Sequence, residues 1–102
     1  MNTEAQTRIR EQEARDQKRR LWLERVEKEI ESAEAWTPAK RPDALAKRLD
    51  NMVEMSDKAE ILSQPDKTEI RDRARQTKLR TYEKYLDHLL ETVAHALSET
   101  QA

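Results

Sequence analysis

Residues 79–96 of this chain read LRTYEKYLDHLLETVAHA, and their apolar positions recur at alternating steps of three and four residues. Such a heptad ladder predicts one apolar seam along a single α-helix. We expect an all-α protein. The chain has no glycine, no cysteine and no phenylalanine, and 40% of its residues are charged, which leaves few materials for a catalytic pocket. The ladder consists of Leu79, Tyr82, Leu86, Leu89, Val93 and Ala96.

Three prolines divide the chain into helical segments, because proline cannot donate the helical hydrogen bond. Pro38 and Pro42 predict a first break. A second break is predicted between Leu62 and Asp66, where Ser63 can cap a helix with Asp66 at its third position. No stretch alternates with the period of a strand, so no sheet is expected. The expected helices, two long and one shorter, span residues 3–36, 42–62 and 64–99.

The apolar positions of the first two helices predict a thin core. With 102 residues and a mean hydropathy of -1.13, the chain has room for a single helical domain, residues 1–102. Residues 1–16 hold few apolar side chains and form a polar amino-terminal arm. The expected core stripes are Leu23, Val26, Ile30 and Ala33 on the first helix, and Leu45, Leu49, Met52, Ala59 and Leu62 on the second.

The register of the helices predicts an overhang. Folding at the two breaks places Leu45 level with Tyr82, so the third helix beyond about Tyr85 has no intramolecular neighbour. Residues 86–102 then carry apolar side chains that need a partner, either a second copy or another protein. The alternative is that the chain bends and the first helix covers them. The expected interface residues are Leu86, Leu89, Leu90, Val93 and Leu97.

Charge is graded along both long helices, which run from a basic half to an acidic half. An antiparallel pair of such helices from two protomers places basic halves against acidic halves, whereas a parallel pair stacks like charges. We therefore expect an elongated helical hairpin or bundle with coiled-coil-like seams, completed by an antiparallel homodimer. The alternative is a solvated surface with many local ion pairs.

Catalytic and metal chemistry finds little support in the sequence. The serines lack a glycine elbow, and no pair of carboxylates is held in an apolar setting that would separate their pKa values. His88, Glu91 and His95 share one helix, but the two histidines are about 10 Å apart, too far for one ion without ligands from other helices. We expect no enzymatic activity, no cofactor and no metal site.

A basic group of residues offers a second interpretation. One end of the bundle is expected to be basic, and Trp22 nearby could stack on a base, so a small nucleic-acid-binding regulator is the alternative function. Interspersed acidic residues dilute this charge, and no nucleic-acid-binding motif is present. Trp22 and Trp36 are also expected to cover the gap between the first two helices, and the alternative is that they contact a partner at an interface. The basic residues are Lys18, Arg19, Arg20, Arg71, Arg73, Arg75, Lys78 and Arg80.

The preferred function is a non-enzymatic protein–protein interaction module, of adaptor, chaperone or inhibitor type, that uses the apolar face of its carboxy-terminal helix. The absence of cysteine fits the cytoplasm, and no apolar run is long enough to span a membrane. The layout of a long, a shorter and a long helix resembles in architecture small secretion chaperones and phage or plasmid accessory proteins. No motif accompanies this resemblance, so no site residue follows from it.

Overall fold

A computed structural model of the chain describes residues 3–35 and 42–101, with side chains described as far as Thr100. The described residues form three α-helices and no strand: α1 Thr3–Glu34, α2 Asp43–Asp57 and α3 Gln64–Gln101. The expected all-α fold is confirmed. Trp36 and Pro38, and with them most of the first break, lie outside the described residues.

The end of α2 differs from the expectation. α2 ends at Asp57 rather than at Leu62, because tight backbone turns replace the helical ladder: Ala59 N donates to Ser56 O at 3.1 Å, and Leu62 N donates to Ala59 O at 3.2 Å. These turns reverse the chain within a few residues. Leu62 is thereby buried in the core, although it lies outside the helix that was expected to carry it.

Salt bridges between helices show the topology. Arg19 on α1 pairs with Asp66 on α3 at 2.8 Å, and Arg80 on α3 pairs with Glu34 on α1 at 3.2 Å. The partners are 47 and 46 residues apart in sequence, so α1 and α3 run parallel in an almost constant register. α2 runs antiparallel to both, since its later residues meet the earlier residues of α3. The bundle is therefore up-down-up.

The core lies in the middle of the molecule, where all three helices overlap. One cluster joins Val26, Ile30, Leu62 and Ile70, and a second joins Ala33, Leu45, Leu49 and Ala74. The stripes expected on the first two helices are confirmed in these clusters. Trp22, Leu23, Met52, Val53 and Ala59 pack against them from partly buried positions.

Both long helices extend past the core, at opposite ends. Residues 3–16 of α1 lie before the first contact with α3, and all of them except Ala5 are exposed. α3 continues beyond Tyr85 with exposed side chains apart from the half-buried His88. The molecule measures 87 × 18 × 17 Å with a radius of gyration of 20.9 Å.

Candidate functional site: the outer face of α3

The inward side of α3 is small and polar rather than leucine-rich. Ala74, Thr77 and Thr81 are buried against the bundle, with Thr77 only 1% exposed. The hydroxyls of Thr77 and Thr81 each donate to the backbone carbonyl four residues earlier, at 2.8 Å, so their burial leaves no unpaired polar atom. Small side chains at these positions let the three helices approach closely.

The leucine ladder lies on the opposite side of α3. Leu79 is 57% exposed although it stands two residues from both Thr77 and Thr81, about 200° around the helix axis from each. The ladder is therefore not part of the buried core but a separate apolar face, with even Leu79, which is level with the bundle, exposed. We call it the outer face. Its exposed members are Leu79, Tyr82, Leu86, Leu89, Leu90, Val93 and Leu97.

The outer face is long and continuous. From Leu79 to Leu97 it extends about 27 Å along the helix, and its most exposed member, Leu90, is 68% exposed. The expected interface residues all belong to it. The alternative that α1 covers these side chains is wrong for this chain: α1 ends at Glu34, level with Arg80, and lies on the other side of α3.

Charge changes sign along α3. Its first part, residues 64–84, holds seven Lys and Arg against four Asp and Glu, whereas residues 85–101 hold three acidic and no Lys or Arg residues. The parallel register places the acidic half of α1 against this basic part, as in the pairs of Glu27 with Arg73 and Glu34 with Arg80. The acidic half of α1 thus lies opposite the basic part of α3 within one chain. The acidic residues 85–101 of α3 have no basic helix opposite them among the described residues.

The basic residues of the nucleic-acid interpretation are distributed along the bundle rather than gathered at one end. Arg19 is level with the start of α3 and Arg80 with the end of α1. Five of the eight are held in salt bridges, which reduces the charge available to a phosphate. Lys18, Arg20 and Arg75 make no salt bridge with the described residues. The five pairs are Arg19–Asp66, Arg71–Asp57, Arg73–Glu27, Lys78–Asp50 and Arg80–Glu34.

The start of α3 is fixed by a capping box that the sequence predicted. Ser63 N donates to the Asp66 carboxylate at 3.1 Å, and Asp66 N donates to Ser63 Oγ at 3.2 Å. Arg19 adds two guanidinium hydrogen bonds to the same carboxylate, each 2.8 Å long. The hydrogen bonds from Arg19 and Ser63 hold the pKa of Asp66 well below its usual range. The hydrogen bond from Arg73 likewise lowers the pKa of Glu27.

A second apolar surface lies near the turn between α2 and α3. Trp22 donates from Nε1 to the buried Ser56 Oγ at 3.0 Å and bridges α1 and α2, which confirms its expected place between them. Beside it is an open groove of about 800 Å³ that includes Leu21, Met55 and Ile61. Met55 is 62% exposed there. Charged side chains of Lys18, Glu24, Arg25, Lys28, Lys58 and Glu60 line the rest of the groove.

The histidines of α3 do not assemble with other ligands. His95 Nε2 lies 3.0 Å from Glu99 Oε1, one helical turn along the same exposed surface. Among residues 3–35 and 42–101, no three His, Cys, Asp or Glu side chains are placed to hold a metal ion. None of the helices described here is both long and apolar enough to cross a membrane.

Comparisons of this chain with protein-family models, with curated proteins and with solved structures give no match.

Proposed function

We propose that this protein is a non-enzymatic helical interaction module of adaptor, chaperone or inhibitor type, and that the outer face of α3 is its binding surface. The observation that carries the proposal is a row of seven large apolar side chains that stay exposed along α3 from Leu79 to Leu97. A continuous exposed apolar surface of this length is uncommon on a soluble monomer and marks an interaction site.

The geometry favours a helical or helix-like partner. A straight row of leucines spaced at three and four residues presents knobs and holes for another helix, rather than a pocket for a small molecule. Each such side chain contributes about 1.5 to 3 kcal/mol when it is removed from water. The bundle supports the start of this face, since Thr77 and Thr81 pack on the opposite side of the same helix, whereas Leu86 to Leu97 lie beyond the bundle.

A capture experiment tests the proposal with a matched pair of variants. Leu90→Asp places a charge on the outer face, and Met55→Asp places the same charge at an equally exposed apolar position in the groove near Trp22. The immobilised chain is exposed to an extract of its own cells, and the retained proteins, including untagged copies of the chain, are identified. We expect Leu90→Asp to lose retained proteins that Met55→Asp keeps. Equal retention by wild type and Leu90→Asp would refute the outer face as the binding surface.

A further inference from the structure

We infer that the outer face of α3 binds the same face of a second copy of this chain, and that the two α3 helices run antiparallel. This inference rests on the proposed function, because it names the partner of the same surface. It is carried by three observations: the approach to the face is open, the charge of α3 changes sign along its length, and the area matches that of a stable dimer.

The outer face is accessible to a second helix because α1 and α2 pack mainly on the opposite side of α3. The buried contacts of α3 with α1 and α2 include Ala74, Thr77 and Thr81, about half a turn away from Leu79. α2 borders the outer face at one edge, where Lys78 pairs with Asp50 at 2.6 Å and the Tyr82 hydroxyl lies 3.5 Å from Asp43. From Leu86 to Leu97 the face lies beyond α1 and α2, so a second helix can lie along it.

The heptad positions define the register of an antiparallel pair. Leu86 of one protomer then faces Leu89 of the other at the twofold axis, and Tyr82 faces Val93 on either side of it. At each end Leu79 faces the small Ala96. Large side chains thus meet smaller ones in the outer layers, which allows an even separation of the two helices.

Charge distinguishes this arrangement from a parallel one. In the antiparallel pair, residues 91–101 of one protomer, which hold Glu91 and Glu99 and no Lys or Arg, lie along residues 74–84 of the other, which hold four Lys and Arg against one acidic residue. Glu99 then lies beside Arg75 and Lys78 of the second protomer, at flanking positions where such pairs select orientation. A parallel pair would instead place the two acidic ends together, without a single Lys or Arg between them.

The area is sufficient for a dimer. The exposed side chains of the outer face offer on the order of 700 Å² per chain, close to the roughly 800 Å² that each partner of a standard stable complex buries. The seam has six layers of facing side chains over 18 residues, which is short for an isolated coiled coil, but the bundle already holds the first turns of each α3 in helical form.

Cysteine cross-linking tests both the partner and the orientation, because the natural chain contains no cysteine. Leu79→Cys and Ala96→Cys are made as separate proteins and mixed in a glutathione redox buffer. The two positions are about 25 Å apart on one helix, so no bond can form within a chain. We expect disulfide-linked heterodimers in the mixture, at least tenfold more abundant than covalent dimers of Leu79→Cys alone. Efficient self-linking of Leu79→Cys would overturn the antiparallel arrangement.

Light scattering on proteins without cysteine provides the second measurement. Wild type should have the mass of a dimer, and Leu89→Asp with Leu90→Asp should have that of a monomer, since carboxylates in a desolvated seam are strongly unfavourable. Glu99→Lys should weaken the dimer about fivefold through lost pairs with Arg75 and Lys78, whereas Glu91→Lys, on the far side of the helix, should not.

The outcomes separate this inference from the proposed function. A wild type that stays monomeric at high micromolar concentration overturns the homodimer. If the monomeric wild type captures other proteins and Leu90→Asp does not, the outer face remains the binding surface and its partner is another protein. If capture is also unchanged, both the inference and the proposed function fail.

Discussion

Arg19 and Asp66 join the first and third helices of this protein through two guanidinium hydrogen bonds of 2.8 Å, and the same carboxylate caps the start of α3. One side chain thus fixes both the beginning of a helix and the parallel alignment of two helices. Its carboxylate is largely shielded from solvent while the guanidinium is about half exposed. Water therefore cannot readily replace the hydrogen bonds that Arg19 and Ser63 donate to the Asp66 carboxylate.

Asp66→Asn should lower the free energy of unfolding by about 2 kcal/mol at neutral pH, because it removes the charge from three hydrogen bonds. The folded state lowers the pKa of Asp66 below that of the unfolded chain, about 3.9. The contribution of Asp66 is therefore fully present above that pH and declines as the pH falls below it. The gap between wild type and Asp66→Asn should narrow in acid, as measured by urea unfolding at several pH values.

Glu29→Gln is the matched control for this experiment. It neutralises an exposed salt bridge with Arg48 in the same bundle, at 2.9 Å, and should cost only about 0.5 kcal/mol. A control that loses as much stability as Asp66→Asn would show that charge in general, rather than the cap with its guanidinium partner, stabilises the fold.

Trp22→Phe should destabilise the bundle by about 1 kcal/mol, because it keeps most of the apolar contact but leaves the buried Ser56 hydroxyl without its donor. Trp22→Ala also removes the packing between α1 and α2 and should cost about 3 kcal/mol. Urea unfolding followed by circular dichroism measures both. Equal costs for the two variants would mean that the indole contributes through its hydrogen bond alone.

Thr77→Leu tests which side of α3 is buried. Thr77 is enclosed by the bundle, so a larger side chain there should cost about 1 to 3 kcal/mol through overpacking. Leu79→Thr, on the outer face, should leave the stability of the monomer nearly unchanged. Both are compared in the Leu89→Asp with Leu90→Asp background, so that self-association does not contribute. The reverse ranking would mean that the leucine ladder faces the core.

Deletion of residues 1–11 should change the free energy of unfolding by less than about 1 kcal/mol. Every residue from Gln6 to Arg20 is exposed, and Ile9 is the one large apolar side chain described in the deleted part. Thermal unfolding of the shortened chain measures the effect. A chain that no longer folds cooperatively would show that this arm packs against the rest of the molecule.

Local signals in the sequence predicted the elements of the fold well. Ser63 and Asp66 stood at capping-box spacing, and Val26, Ile30 and Leu49 stood at helical spacing, so the start of α3 and the core stripes followed from the sequence. The end of α2 did not follow, because Ala59 and Leu62 continue the apolar spacing of that helix even though the chain turns there. Apolar spacing does not distinguish a helix from a turn that buries the same residues.

The side of α3 that packs on the bundle was also not predictable from the ladder. The heptad ladder that starts at Leu79 and Tyr82 was interpreted as one buried seam, with Tyr82 level with Leu45, and only its part beyond Tyr85 was expected to lack a neighbour within the chain. In the structure, Thr77 and Thr81 occupy that side, since their hydroxyls bond to the backbone of their own helix and need no further partner. A helix with two periodic faces gives two competing patterns, and the more hydrophobic one lies on the exposed side here.

The elongation produced by the two offset helices governs how the protein moves through solution. A compact chain of this length has a radius of gyration of about 13 Å, whereas this molecule has 20.9 Å. A single chain will therefore diffuse slowly and leave a gel-filtration column early, with the apparent size of a much heavier globular protein. Elution volume alone would make a monomer resemble a dimer, because elution depends on molecular shape as well as on mass. The mass of this protein therefore has to be measured by a method that does not depend on its shape.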